Sequence, residues 1–251
     1  MNSDKILIFD VGSEYGHFRK YNTTTSPLTY SFPPRPAVIG LIGSILGIER
    51  EVAPGVYEHP DRILPELFSK KKLQVAVQIM NPVKKANIAF NLLDTEKTAA
   101  SFFNIKQRTQ IEFELLKNPL FRIFLCFENQ KMATDLSNRL KANQSFFTPY
   151  LGLSQFTATT QFVDLVKMSE VIQEGFIDVI SAINTKKTEY EFDFDYSENF
   201  KYTSDTMPIE LSKDRIVQEY AEVIVESTGK PVRVKSSHVH HAEGHGNIIF
   251  L

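Results

Sequence analysis

The 251-residue sequence has one cysteine, no tryptophan, and no apolar run near the ~18 residues that cross a bilayer as a helix. A single cysteine excludes a disulfide framework and a multi-cysteine zinc site. Cys126 lies in the apolar run FRIFLCF and is expected as a buried free thiol. The GxxxxGK loop of the nucleotide hydrolases and the GxGxxG dinucleotide fingerprint are both missing. So are GxSxG, HExxH and paired-carboxylate signatures, which leaves little footing for catalysis. The opening MNSDKILIFDV lacks the basic flank and long apolar core of a signal peptide, so a soluble, cytoplasmic protein is expected.

What is present is enough apolar material for a sizeable core: 42% hydrophobic residues, with 20 Phe and 9 Tyr, which argues against disorder. The net charge is only −2, against a general polyanion binder, but it is unevenly spread. Residues 189–226 hold 11 acidic and 3 basic residues, −8, which leaves +6 on the remainder. A local basic surface outside 189–226 is compatible with that balance.

Residues 5–11, KILIFDV, read as a buried strand. Residues 12–35 are too long for an ordinary connector, and their aromatics argue for an ordered, functional loop. A helix over 36–47 follows: Pro36 suits a first helical position, and Val38, Leu41, Ile42, Ile45 and Leu46 keep the helical spacing. Gly40, Gly43 and Ser44 leave another face nearly bare, and Gly47 is a C-terminal stop. Strands are expected at 73–81, 120–127 and 159–168, with a long polar excursion over 86–116. A helix over 130–142 carries Met132, Leu136 and Leu140 on one stripe. This βαββαβ order is that of the ferredoxin-like fold shared by RNA-recognition domains. Beyond a composition change at 169–175 the chain is β-leaning, with strands expected at 176–183, 189–194, 215–225, 231–235 and 247–251.

Four segments carry candidate chemistry. The first is 12–35, GSEYGHFRKYNTTTSPLTYSFPPR, where glycine lets backbone amides near Gly16 approach phosphate. Arg19, Lys20 and Arg35 supply cations, and the aromatics supply stacking surfaces. Tyr15, His17 and Lys20 also have the residue types of a metal-free ribonuclease. The second is 104–122, where Lys106 and Arg108 share a strand face and Gln107, Thr109 and Gln110 suit base edges. Its bland reading is a polar hairpin. The third is Lys70 to Lys72 with Lys84 and Lys85, which reads first as a solvated face. The fourth is HVHHAEGHG, where His238, His240, His241 and His245 are candidate metal ligands with Glu243.

The strand followed by GHFRKYNTTTSPLTYSFPPRPAVIGLIGSILG, then RTQIEFELLKNPLFRIFL, TPYLGLSQF and the closing NIIFL, resembles the Cas-five family of CRISPR-associated RAMP proteins. The Phe18-Arg19 pair and the run from Tyr30 through Ala37 to Gly40 are its most specific pieces, and the style is closest to the type I-B branch. The resemblance implies a non-catalytic subunit of the Cascade surveillance complex in antiviral defence, α+β in class and needing no cofactor. A ferredoxin-like RAMP domain, 1–168, would carry an extended β-hairpin thumb at about 86–116, ahead of a smaller β-rich region, 169–251. The subunit would cap the 5′ handle of the guide crRNA and bridge a Cas-seven backbone subunit and the large subunit, with target DNA near the PAM as a further contact. RNA contacts would fall on Gly16, His17, Phe18, Arg19, Lys20, Tyr30, Arg35, Lys106, Gln107 and Arg108. The −8 segment would be repelled by RNA and lie away from the handle. The alternative is a metal-independent endoribonuclease that processes precursor crRNA with Tyr15, His17 and Lys20. The four-histidine tail is no hallmark of the family.

Overall fold

The computed structural model describes residues 4–21, 26–49, 56–57, 59, 62–93, 108–172, 174–187 and 190–251. In chain order the elements are β1 (Lys5–Gly12), β2 (Tyr15–Gly16), α1 (Arg35–Leu46), α2 (Leu64–Leu67), β3 (Leu73–Ile79), β4 (Lys85–Leu93), β5 (Arg108–Lys117), β6 (Leu120–Phe127), α3 (Gln130–Lys141) and β7 (Thr159–Glu170). There follow β8 (Ile177–Val179), β9 (Ile183–Asn184), β10 (Glu191–Asp193), β11 (Tyr202–Leu211), β12 (Val217–Glu226), β13 (Val232–Lys235), β14 (His240–Ala242) and β15 (Gly246–Ile248). The class is mixed α and β, mostly sheet.

Local chemistry explains the helix ends. Pro36 fills the first turn of α1, where its missing N–H removes no helical bond, and Gly47 closes the helix at φ 70°, donating its N–H to the Gly43 carbonyl. The Asn129 side chain caps α3 by accepting from the Lys131 and Met132 amides, and Arg139 and Lys141 stand in the last turn, where the helix dipole favours cations.

The largest sheet runs β10-β13-β8-β15-β14-β7-β1-β6-β3. Its four longest strands lie in the order β7-β1-β6-β3, each antiparallel to the next. Strand alternation sends Leu7, Phe9 and Val11 to one face, where Val38, Ile42 and Ile45 of α1 and Leu136 and Leu140 of α3 cover them. Ile6, Ile8, Phe124 and Cys126 point to the other face and meet Ala242, Ile248 and Phe250. β7 pairs with β1 on one side and β14 on the other, so the sheet continues past residue 168. Leu251 N donates to Val75 O and Ala182 N to Val77 O. These bonds bring the segments that follow β8 and β15 back to the free edge of β3, closing over the second apolar cluster. Cys126 is buried there as a free thiol.

Two smaller sheets flank this body: β11-β12-β9 and β2-β5-β4. β11 falls where no strand was expected. Its sequence YTSDTMPIEL has four consecutive polar residues, Thr203 to Thr206, and holds Pro208, where the register with β12 shifts.

Candidate nucleic-acid interface

The segment after β1 is braced along its described length. Tyr15 and Gly16 add a short rung to β5, and His17 N donates to Leu151 O at 3.0 Å. Gly152 makes that approach possible: it sits at φ 87°, and a Cβ there would lie 1.7 Å from the His17 carbonyl oxygen. The chain then doubles back, with Tyr30 N donating to Phe18 O and Lys20 N to Leu28 O, both at 2.8 Å.

This packing corrects several expectations. Gly16 is buried, with the position a Cβ would take only 3.4 Å from Leu151 and Pro119 atoms, so its backbone is not open to phosphate. Phe18 and Tyr30 belong to the main core, and the Tyr30 hydroxyl donates to Thr206 O at 3.0 Å. Burial pushes that phenol up to about 12. Arg35 is 1% exposed, and its guanidinium donates to Phe68 O (2.7 Å), Leu73 O (2.8 Å) and Ile209 O (3.4 Å). Burial pulls its pKa down to about 10, against the opposing influence of Glu210 and Glu219. Arg35 is therefore a tie between α1, the start of β3 and β11, out of reach of RNA.

His17 is also buried. Its Nδ1 lies 2.8 Å from the Glu114 carbonyl and so carries the proton. Its ring meets Phe113 edge-on at 5.3 Å, and desolvation lowers its pKa. Lys20 pairs with Asp205 and stands 5.6 Å over the Tyr30 ring. Of the loop candidates, Arg19 is exposed and Tyr15 half-exposed, its ring 6.0 Å from Phe156. The trio Tyr15, His17 and Lys20 thus holds a neutral buried imidazole and an ammonium already matched by a carboxylate.

The acidic stretch is not held apart from this segment. Besides Asp205 on Lys20, Glu219 pairs with Lys70, Glu210 accepts from the Lys70 amide, and the Tyr220 ring lies 5.2 Å from Tyr21. Glu226 is buried, accepting from the amides of Lys201, Thr228 and Lys230. Much of the −8 is therefore matched within the fold.

The hairpin β4–β5 presents a different surface. Lys106 and Gln107 lie outside the described residues, and Arg108 opens β5. The register pairs Ala86 with Leu115, Ile88 with Phe113 and Phe90 with Ile111, so these share one face. Tyr15 is the rung opposite Lys117 and projects on that same face. Lys117 N donates to Lys84 O, which sets Lys84 opposite Lys117 one step beyond the ladder. The face therefore carries a row of Tyr15, Lys117 and Lys84 at its base, both lysines exposed, then the fully buried Leu115, with half-exposed Phe113 and Phe90 (5.0 Å apart) farther along the arm. On the opposite face Leu116 joins the main core, and Lys85 Nζ lies 3.0 Å from both Thr29 O and a Glu114 carboxylate oxygen. Lys117 was missed in the sequence because a single lysine next to an asparagine gives no signal. Only the strand register reveals it.

The histidines do not gather. His245 Nε2 lies 3.2 Å from Asp164, His241 Nδ1 2.8 Å from Asn247 Oδ1, His240 packs on Phe250, and His238 is exposed. Among the described residues no three His, Cys, Asp or Glu side chains converge as a metal site requires. Nor is any helix among them long and apolar enough to cross a membrane.

The family model described as CRISPR-associated protein (Cas_Cas5) matches residues 6–226. The chain belongs to the CRISPR-associated Cas5 family. Membership gives this Cas5-family chain a role in CRISPR defence. Among solved structures it is similar to a CRISPR protein from Archaeoglobus fulgidus, at 14% identity and TM-score 0.58, covering 98% of this chain and 99% of that one. It is similar to a chain of a CRISPR RNA-guided surveillance complex, at 14% identity and TM-score 0.50, covering 90% and 91%. A chain of the type III-B Cmr-beta complex bound to cognate target RNA and AMPPnP matches at 10% identity and TM-score 0.50, covering 91% and 86%. At these identities the likeness is one of fold. A search of the curated proteins found no match.

Proposed function

We propose that this Cas5-family chain is a non-catalytic subunit of a type I-B Cascade that grips the 5′ handle of the guide crRNA. It caps the Cas-seven backbone, bridges the large subunit and lies near the PAM end of target DNA in the cytoplasm. The body is read as ferredoxin-like, supported by the strand order β7-β1-β6-β3 with α1 and α3 on one face. The observation that carries the RNA reading is the hairpin face, where Lys84 and Lys117 stand beside half-exposed rings. Lysines hold phosphates irrespective of sequence, and rings accept unstacked bases. In guide-bearing complexes base pairing reads the target, so the protein needs only a firm hold on the guide's backbone and end. The endoribonuclease alternative draws no support from a buried neutral His17 and a paired Lys20.

The test is Lys84→Glu with Lys117→Glu. Losing two charge-assisted contacts at ~1.5–3 kcal/mol each weakens guide-RNA binding by at least a hundredfold. Unchanged affinity and unchanged assembly on a guide would overturn the reading. Incubating the chain with repeat RNA in EDTA decides the alternative: cleavage across neutral pH would make it an enzyme.

A further inference from the structure

The largest sheet ends on β10, and among the described residues no strand pairs with its outer edge. Edge strands are commonly blunted by lysine or proline, and YEFDFDY, residues 190–196, has neither. The two faces of this edge differ. On one, charge alternates from strand to strand: Asp178 of β8, Arg233 of β13 and Asp193 of β10 stand in register, with Arg233 3.9 Å from Asp178 and 2.6 Å from Asp193. Lys235 and Glu191 make the next row, 2.8 Å apart. Both rows stop at the free edge on exposed carboxylates whose cations lie on the inner side. On the other face Phe192 stands opposite Val234, which belongs to an apolar cluster with Ile177, Val179 and Val232. Tyr190, Phe192 and Phe194 pack half-buried against that cluster, with the Phe192 and Phe194 rings stacked at 5.1 Å and 3°. Tyr196, next in the alternation, is 89% exposed.

We infer that β10 takes a further strand from a protein partner: an extended segment in which basic residues alternate with apolar ones. Its main chain bonds to the outer edge of β10. Its basic side chains meet Glu191 and Asp193 and carry the alternation of charge one strand further, while its apolar side chains lie beside the Phe192 and Phe194 rings. β10 is three residues long, so the main-chain bonds are few and the side chains supply the selectivity. A second copy of this chain fits poorly, because β10 against β10 sets carboxylates opposite carboxylates. A nucleic acid is repelled by the same row, since residues 190–199 hold four acidic residues and no basic one.

The experiment uses the full chain and two fluorescein-labelled peptides of one composition, the alternating KVKFKVK and the blocked KKKKVFV. Affinity is read by fluorescence anisotropy and amide exchange by mass spectrometry. The alternating peptide is expected to bind about tenfold more tightly than the blocked one and to slow exchange within residues 190–195. The variant Glu191→Gln/Asp193→Asn is expected to weaken the alternating peptide by about fivefold. Both side chains are exposed and keep their shape, so the fold is preserved. Equal affinity for the two peptides assigns the binding to charge alone and overturns the inference. So do protection confined to other segments, an unweakened variant, and no binding at about 1 mM peptide. A chain that sediments as a dimer with 190–195 already protected gives the edge to a second copy and overturns it as well.

Discussion

Residues 12–35 and the hairpin from Lys84 to Lys117 carry the same ingredients, aromatics and cations, and use them in opposite ways. In the first, Phe18, Tyr30 and Arg35 turn inward and Lys20 meets Asp205. In the second, Phe113 and Phe90 stay half-exposed and Lys84 and Lys117 face solvent. The difference lies in what each segment packs against. The first is covered by α1, β11 and the 149–152 turn, whereas the hairpin is attached through β2 and the 27–29 segment at its base, where Leu115 and Leu116 are buried, and leaves Phe113 and Phe90 half-exposed along the arm. Residue types name the possible chemistry of a segment, and its neighbours decide whether that chemistry reaches a ligand.

Arg35→Met breaks this comparison hardest. It strands the carbonyls of Phe68, Leu73 and Ile209, costing ~2–4 kcal/mol in a denaturant titration, while the RNA affinity of the folded fraction is unchanged. Lost RNA affinity without lost stability would return Arg35 to the ligand surface. Gly152→Ala comes next: the collision with the His17 carbonyl and the left-handed backbone cost ~1–3 kcal/mol, read as a lowered Tm. On the hairpin the signs reverse. Phe113→Leu keeps most of the apolar area, so stability holds, but RNA affinity falls by ~1–3 kcal/mol as a stacking surface is lost.

The smallest effect is a pH dependence. Because the folded pKa of His17 is depressed below 6.5, the unfolded chain binds the proton more readily. Stability is therefore full above pH 6.5 and declines as the pH falls below it. His17→Gln should flatten that slope between pH 7 and pH 5 in chemical unfolding, and an unaltered slope would assign it to other groups.

Much of the scaffold was readable in advance because its signals are local. Proline and glycine punctuate α1, and LFRIFLCF defines β6 to the residue. β11 was hidden by Pro208 and by the unbroken polar run from Thr203 to Thr206, and β14 by histidines that suggested ligands. The candidate site was harder because exposure is a property of the assembled fold. Nothing near Arg35 announces that three carbonyls from distant segments await it. Nothing near Lys117 announces Tyr15 across the ladder.

That ladder has a mechanical corollary. Asn118 N donates to Glu14 O and Lys117 N to Lys84 O, so main-chain bonds flank the Tyr15–Lys117 pair and the arm cannot tilt without carrying Tyr15 with it. A nucleotide strand lying over both would be held by one stiff lever, its spacing set by peptide geometry and indifferent to side-chain rotamers.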